Sequence, residues 1–204
     1  MGQGRSLDMR KNGSGHWSHQ VPPARRLVSL GEVVHRAVPR LLTAIAATGS
    51  TAQLRVAVDS QLPAVLADPD ALERVLVHLV LNAARAVRSP HGAIEIGVAE
   101  VAAPRFGEAA RHSADDAQLV RLTVTDNGVG MDTATLADVL QWMVNPRAAP
   151  ASAGLGLRVV NNIVRSHGGR LHIESDPVNA TTVRVDLPIA ADQRMPCIPR
   201  PETP

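Results

Sequence analysis

Four short stretches of this sequence hold residue types that do chemistry, at spacings that would let them act together. The β-branched run Leu119–Thr125 stops at Asp126 and is followed by Asn127-Gly128-Val129-Gly130-Met131. A strand that ends in a carboxylate and then two near-adjacent glycines sets an acceptor beside bare backbone, which suits a flat ring carrying an exocyclic amine, such as adenine. The same residues are also good hairpin-turn chemistry. Upstream, His78, Asn82 and Arg85 stand at i, i+4 and i+7 on one helical face. An amide oxygen at the edge of an apolar stripe can serve a hard cation such as magnesium, and an arginine one turn on can meet phosphate oxygens. Equally, Asn82 can be satisfied by a neighbouring loop, and His78 reads as a histidine at the edge of the core. Downstream, Gly154-Leu155-Gly156-Leu157 opens a helical run from Arg158 to Val164. Glycines at a helix start form either a simple cap or an anion site built from backbone N–H groups. His167-Gly168-Gly169 then closes that helix, with His167 placed to meet the C-terminal end of its dipole.

The elements around these stretches must hold them in place. Ser29 and Glu32 have the spacing of a capping box, and Leu30, Val33, Val34, Ala37, Leu41 and Ile45 recur at helical intervals. Pro39 is expected to kink or split that helix, which Gly49-Ser50-Thr51 ends. Leu54–Val58 alternates as a strand. Asp68 and Pro69 start a second helix with the stripe Leu72, Val75, Leu76, Leu79, Val80 and Ala83. Ala93–Val98 is a strand, 101–118 a polar loop, 119–125 a strand and 133–143 a short helix. The proline-interrupted stretch 145–153 has no core pattern and reads as a lid. Arg170–Glu174 and Thr181–Leu187 are strands joined through Ser175-Asp176-Pro177. The expected organisation is a flexible segment 1–28, one domain 29–189 and a disordered, proline-rich tail 190–204.

Composition narrows the class. Of 204 residues 45% are apolar, so a full core is available, but Trp17, Trp142 and Phe106 are the only aromatics. Aromatic base-stacking platforms are therefore absent, and a formal charge of +2 gives no nucleic-acid signal. Cys197 stands alone, so no internal disulfide forms, which fits a reducing compartment. No apolar run has the length of a membrane span, and the N-terminus lacks a signal-peptide core. A soluble cytoplasmic protein is expected.

Taken in order, His78-Leu79-Val80-Leu81-Asn82-Ala83-Ala84-Arg85, Asp126-Asn127-Gly128-Val129-Gly130-Met131, Gly154-Leu155-Gly156-Leu157 and His167-Gly168-Gly169-Arg170 followed by Thr181 to Pro188 resemble the catalytic, ATP-binding domain of bacterial sensor histidine kinases. That family lies within the superfamily of DNA gyrase B, the MutL proteins and the ninety-kilodalton heat-shock chaperone. The resemblance runs from about Leu30 to Pro188. It implies an α/β two-layer sandwich of the Bergerat type, a mixed β-sheet under helices, with ATP between a helix and a lid. It implies magnesium on Asn82, with His78, Asn82 and Arg85 as the catalytic set. Asp126 would accept from the adenine amine. Gly128 and Gly130 would pack against the ring, with Met131 in the same set. Gly154, Leu155, Gly156 and Leu157 would hold phosphates, and Thr182 would support the Asp126–water–adenine network.

The departures are specific. His78 stands where the family often has Asn, and Ser152-Ala153 replaces the usual Gly-Thr. A Phe-rich lid box is missing, leaving Trp142 and Met143 as the nearest apolar residues. Of the eight histidines only His172 has proline five residues on, at Pro177, and it is followed by Ile173 rather than an acidic residue, so the phosphoacceptor motif is absent from these residues. The expected function is a histidine kinase module that transfers the γ-phosphoryl of Mg-ATP to a histidine on a separate dimerisation and phosphotransfer protein, and through it to a response regulator. A monomer is expected, with no nucleic-acid partner. The alternatives are a degenerate nucleotide-binding pseudokinase and an anti-sigma-type serine kinase.

Overall fold

A computed structural model describes residues 25–102, 118–144, 155–177 and 179–190. The segments predicted as a lid (145–153), most of the polar loop 101–118, most of the N-terminal segment and most of the tail lie outside the described residues.

Capping starts the two long helices where the sequence places them. Ser29 is extended, and its Oγ accepts from the Glu32 N–H at 3.3 Å to open α1 (Leu30–Ala47). Asp68 accepts from the N–H groups of Asp70 (2.9 Å) and Ala71 (3.3 Å) to open α2 (Pro69–Ala86). Each side-chain oxygen satisfies first-turn donors that have no intrahelical partner. Pro39 does not split α1, which runs through it as one helix. Its missing N–H removes one ladder bond, while Leu30, Val34, Ala37 and Leu41 still pack fully buried. Gly49, at φ +75°, ends the turn after α1.

Five strands form one mixed sheet in the order β2-β4-β5-β7-β6, with β2 (Gln53–Val58) parallel to β4 (Ala93–Ala102). The other pairs, among β4, β5 (Gln118–Asp126), β7 (Ala180–Pro188) and β6 (Arg170–Asp176), are antiparallel. The parallel pair needs a crossover, and α2 lies within it. Along β5, Val120, Leu122, Val124 and Asp126 face inward while the intervening residues are half-exposed, the period-2 pattern of a one-sided sheet. Inward residues of all five strands meet the apolar faces of α1, α2 and α4 (Leu155–Ser166) in a single core. A short helix, α3 (Thr133–Val144), follows β5. This is the α/β architecture that the sequence predicts.

Two strands escaped the sequence reading. β1 (Arg26–Val28) pairs antiparallel with β3 (Val65–Ala67), and Val65 also bridges to Ile189. Three residues are too few to show a period, so order begins ahead of Ser29. At the far end, Ala190 donates its N–H to the Ala64 carbonyl at 3.0 Å.

Candidate functional site

The β5 strand delivers Asp126 to the inner face of the sheet at its edge, 5% exposed. Its Oδ1 accepts the Gly128 N–H at 2.9 Å. Burial pushes the carboxyl above its usual range, and the Gly128 hydrogen bond opposes part of that shift. The carboxylate lines a cavity of about 210 Å³ together with Asn82 and Ala86 of α2, Gly130 and Met131 of the following loop, Leu157 of α4, and Thr181 of β7. Leu79, Ala83, Val124, Val139, Ile173 and Val183 supply the apolar remainder of the wall, with Thr135 beside them. The cavity is mostly hydrocarbon with a few convergent polar groups, as small-molecule sites are.

The loop after β5 is held by backbone geometry that only glycine permits. Gly130 has φ +64°, and a Cβ there would overlap the Asp176 carbonyl oxygen. The next residue, Met131, donates its N–H to Ser175 Oγ at 2.8 Å, and Ser175 in turn bonds Thr181 Oγ1 at 2.8 Å. Gly128 packs against α2. A Cβ on it would come within 2.7 Å of Ala86, and Val129 donates to the Ala86 carbonyl at 3.1 Å. Gly128 therefore seats the loop on the end of α2 and stands outside the cavity wall.

At the opposite end of the cavity, α4 already starts at Leu155, so Gly156 and Leu157 belong to its first turn rather than preceding it. A Cβ on Gly156 would sit 3.5 Å from both Asn82 Oδ1 and His78 Nδ1. The i, i+4 pair of α2 thus meets the N-terminal turn of α4, where N–H groups point outward. His167 fixes this approach from the other end of α4. Its Nε2 accepts the Asp68 N–H at 3.1 Å and its Nδ1 donates to the Ile163 carbonyl at 2.7 Å. The ring joins the end of α4 to the start of α2.

The structure brings together Asn82, Asp126, Gly130, Met131 and Leu157 around one cavity, with His78 and Gly156 at its α4 side. Arg85 is exposed on α2 and lies outside the wall. Gly154 lies outside the described residues, and Leu155 is described in backbone only. Thr182 is not at the cavity: its Oγ1 bonds Thr125 Oγ1 at 3.1 Å on the outer face, and Thr181 takes the inward place opposite Asp126. Strand alternation separates the two threonines. Trp142 is no part of the wall either. It is 2% exposed on α3, with the Arg158 guanidinium 6.0 Å from its ring centroid. Sequence reasoning missed Ser175 and Thr181. The small side chains inside β6 and β7 were the available signal, but the facing of each depends on register.

A family model described as histidine kinase-, DNA gyrase B- and HSP90-like ATPase matches residues 67–191. The sensor histidine kinase ZraS of Escherichia coli K12 is 34% identical over 146 residues, which is 71% of this chain and 27% of that protein. The sensory histidine kinase/phosphatase NtrB of Vibrio alginolyticus is 32% identical over 132 residues, 64% of this chain and 35% of that protein. The chain thus spans about a third or less of the length of these curated relatives. Among solved structures, the mycobacterial sensor histidine kinase MprB aligns with a TM-score of 0.59 at 23% identity, covering 80% of this chain and 98% of that one. Full-length ShkA in complex with AMPPNP aligns at 0.60 and 21%, covering 83% and 32%. At these identities the structural likeness is one of fold.

Proposed function

Because the chain belongs to the histidine kinase-, DNA gyrase B- and HSP90-like ATPase family, we propose that the cavity takes the adenine of ATP and that the module serves as the catalytic part of a two-component histidine kinase. The observation that carries this reading is that Asp126 and Asn82, on different elements, line the same cavity. The adenine amine donates to the Asp126 carboxylate, and the ring lies among Val124, Val139, Ile173 and Val183. The triphosphate runs toward the first turn of α4, whose N–H groups favour anions.

The residues present fit a magnesium ion. No group of three His, Cys, Asp or Glu that could hold a metal occurs among the described residues. The Asn82 amide oxygen, however, is a hard donor beside the expected phosphates, and magnesium takes few protein ligands with a nucleotide. When bound, the ion neutralises phosphate charge. The protein's own part is placement: Asp126 sets the purine, Asn82 and α4 set the tail, and water is kept from an apolar wall. In the transfer, the bond from the γ-phosphorus to the bridging oxygen breaks, a phosphorus–nitrogen bond forms to a histidine outside these residues, and ADP leaves. A response regulator would take the group next. The reading places the module in the cytoplasm; no helix of the described residues is long and apolar enough to cross a membrane.

The test titrates ATP with magnesium by calorimetry. Asn82→Ala and Asp126→Ala are each expected to weaken binding at least tenfold. Unchanged binding in both would remove the assignment. Incubation with labelled ATP and a histidine-bearing acceptor then separates acid-labile phosphohistidine, which supports the kinase reading, from acid-stable phosphoserine or no transfer, which overturns it.

A further inference from the structure

We propose that the free edge of β6 docks an extended, acidic segment of a partner protein, which adds to the sheet as a further strand. β6 ends the five-stranded sheet, bonded on one side to β7 and on the other to no described strand. Such an edge presents a row of N–H and C=O groups that can pair with another chain. Proteins commonly blunt an edge with proline or by keeping it very short, whereas β6 has seven residues and no proline. Beside this edge lies a groove of about 330 Å³ that shares no lining residue with the cavity of Asp126. Met143 of α3 and Leu171 of β6 give it an apolar lining. Asn161 and Arg165, one turn apart on α4, and Arg170 at the start of β6 supply its polar part. Asn161 is 4% exposed, and its amide bonds no described residue. A buried amide needs partners, and the backbone of an added strand would provide them.

Charge identifies the occupant. Arg165 and Arg170 are exposed, no carboxylate lines the groove, and neither arginine forms an ion pair among the described residues. The nearby acids are engaged, Asp186 by Arg121 and Glu174 by Arg184. Two unneutralised guanidinium groups at one groove favour carboxylates. Their placement sets the pattern. Leu171 faces inward and Arg170 does not, so Arg170 belongs to the outer face of the sheet, while Arg165 comes from the helix side. Successive residues of an added strand point to opposite faces. Two consecutive acidic residues would therefore meet one arginine each, with apolar neighbours over Met143 and Leu171. Glu174 and Asp176 make the far end of β6 acidic, which assigns the acidic pair to the Arg170 end. The chain's own termini do not match. Residues 1–24 hold Arg5, Arg10 and Lys11 against Asp8, and residues 191–204 hold two arginines against two acids.

The test uses the full chain. A displayed library of random segments of seven residues, the length of β6, is selected on the wild type and on the charge-reversed double variant Arg165→Glu/Arg170→Glu. The wild type is expected to enrich segments with consecutive acidic residues beside apolar ones. The reversed chain should bind these about tenfold more weakly or worse, because like charges then face each other. Both chains should melt alike and titrate ATP alike, since neither arginine lines the nucleotide cavity. An enriched peptide is then made with N-methyl groups on one or the other alternate set of backbone amides. Alternate residues of an added strand bond the host, so one set is expected to abolish binding and the other to spare it. Enrichment that ignores charge, binding unchanged in the reversed chain, or equal tolerance of both methylated sets overturns the proposal. A thymidine oligonucleotide that binds these arginines while no acidic peptide is enriched overturns it as well. Enrichment seen only after deletion of residues 103–117, which carry Asp115 and Asp116, gives the groove to this chain itself and overturns the partner reading.

Discussion

Asp126 is a buried carboxylate whose described hydrogen-bond partner is one backbone N–H, so its charge is held at a cost in folding. Its raised pKa fixes the sign of that cost. Between the unfolded and the higher folded value, the folded state binds the extra proton, so stability falls as pH rises through this window. Asp126→Asn keeps the shape and the Gly128 contact, and is expected to melt no lower than the wild type at neutral pH. That advantage should shrink on acidification, as melts across a pH series would show. Binding should move the other way. The amide offers a donor, so ATP affinity is expected to fall while relative affinity for a purine with a carbonyl at position 6, such as ITP, rises; an unchanged ATP:ITP ratio would contradict the adenine placement. A second pair of variants separates the two readings of β7. Thr181→Val should lower nucleotide affinity several-fold and Thr182→Val should not, measured by the same titration. Asp126 and Asn82 were legible because each is a polar residue interrupting an apolar pattern. The choice between Thr181 and Thr182 was not, since a slip of one residue exchanges the two faces of a strand. Gly128 was legible as a necessity but not in its role, because only the position of Ala86 shows what it must avoid.

The outer face of the sheet is held by ion pairs of unequal weight. Arg121 of β5 grips Asp186 of β7 bidentately, at 2.7 and 2.8 Å, and that aspartate is 2% exposed. The hydrogen bond to Asp186 holds the Arg121 guanidinium above its usual pKa range. Arg55 and Glu95, across the parallel pair β2 and β4, are both exposed at 3.0 Å. Arg121→Ala would leave a buried carboxylate without its cation and is expected to cost about 3–5 kcal/mol. Arg55→Ala should cost about 0–1 kcal/mol. Chemical denaturation would compare them, and equal losses would refute the distinction. Neither pair was read from sequence, because both join residues from distant strands. Helix positions fared better: caps at Ser29 and Asp68 are local signals, and the structure places both helix starts there. Of the two outcomes expected at Pro39, a kink or a split, the split does not occur, because the tertiary packing of α1 outweighs one lost hydrogen bond.

At the scale of the molecule, the order of four motifs was enough to indicate the two-layer architecture, whereas the strand order β2-β4-β5-β7-β6 rests on long-range pairing that no local pattern encodes. The same holds for the union of β1, β3 and Ile189, where Val65 pairs with Val28 and also with Ile189. Val28, near the entry of the described fold, and Ile189, near its exit, therefore flank one residue, about 10 Å apart at a strand spacing of about 4.8 Å. A circular permutant should exploit this: residue 190 joined to residue 25 by a linker of about six glycines and serines, with new termini opened in the turn at Gly49. It is expected to melt within a few degrees of the parent and to bind nucleotide alike, and a molten product would contradict it. A polypeptide can thus step aside into this module and return to its own course through one doorway, so that insertion into a longer architecture asks almost no detour of the host chain.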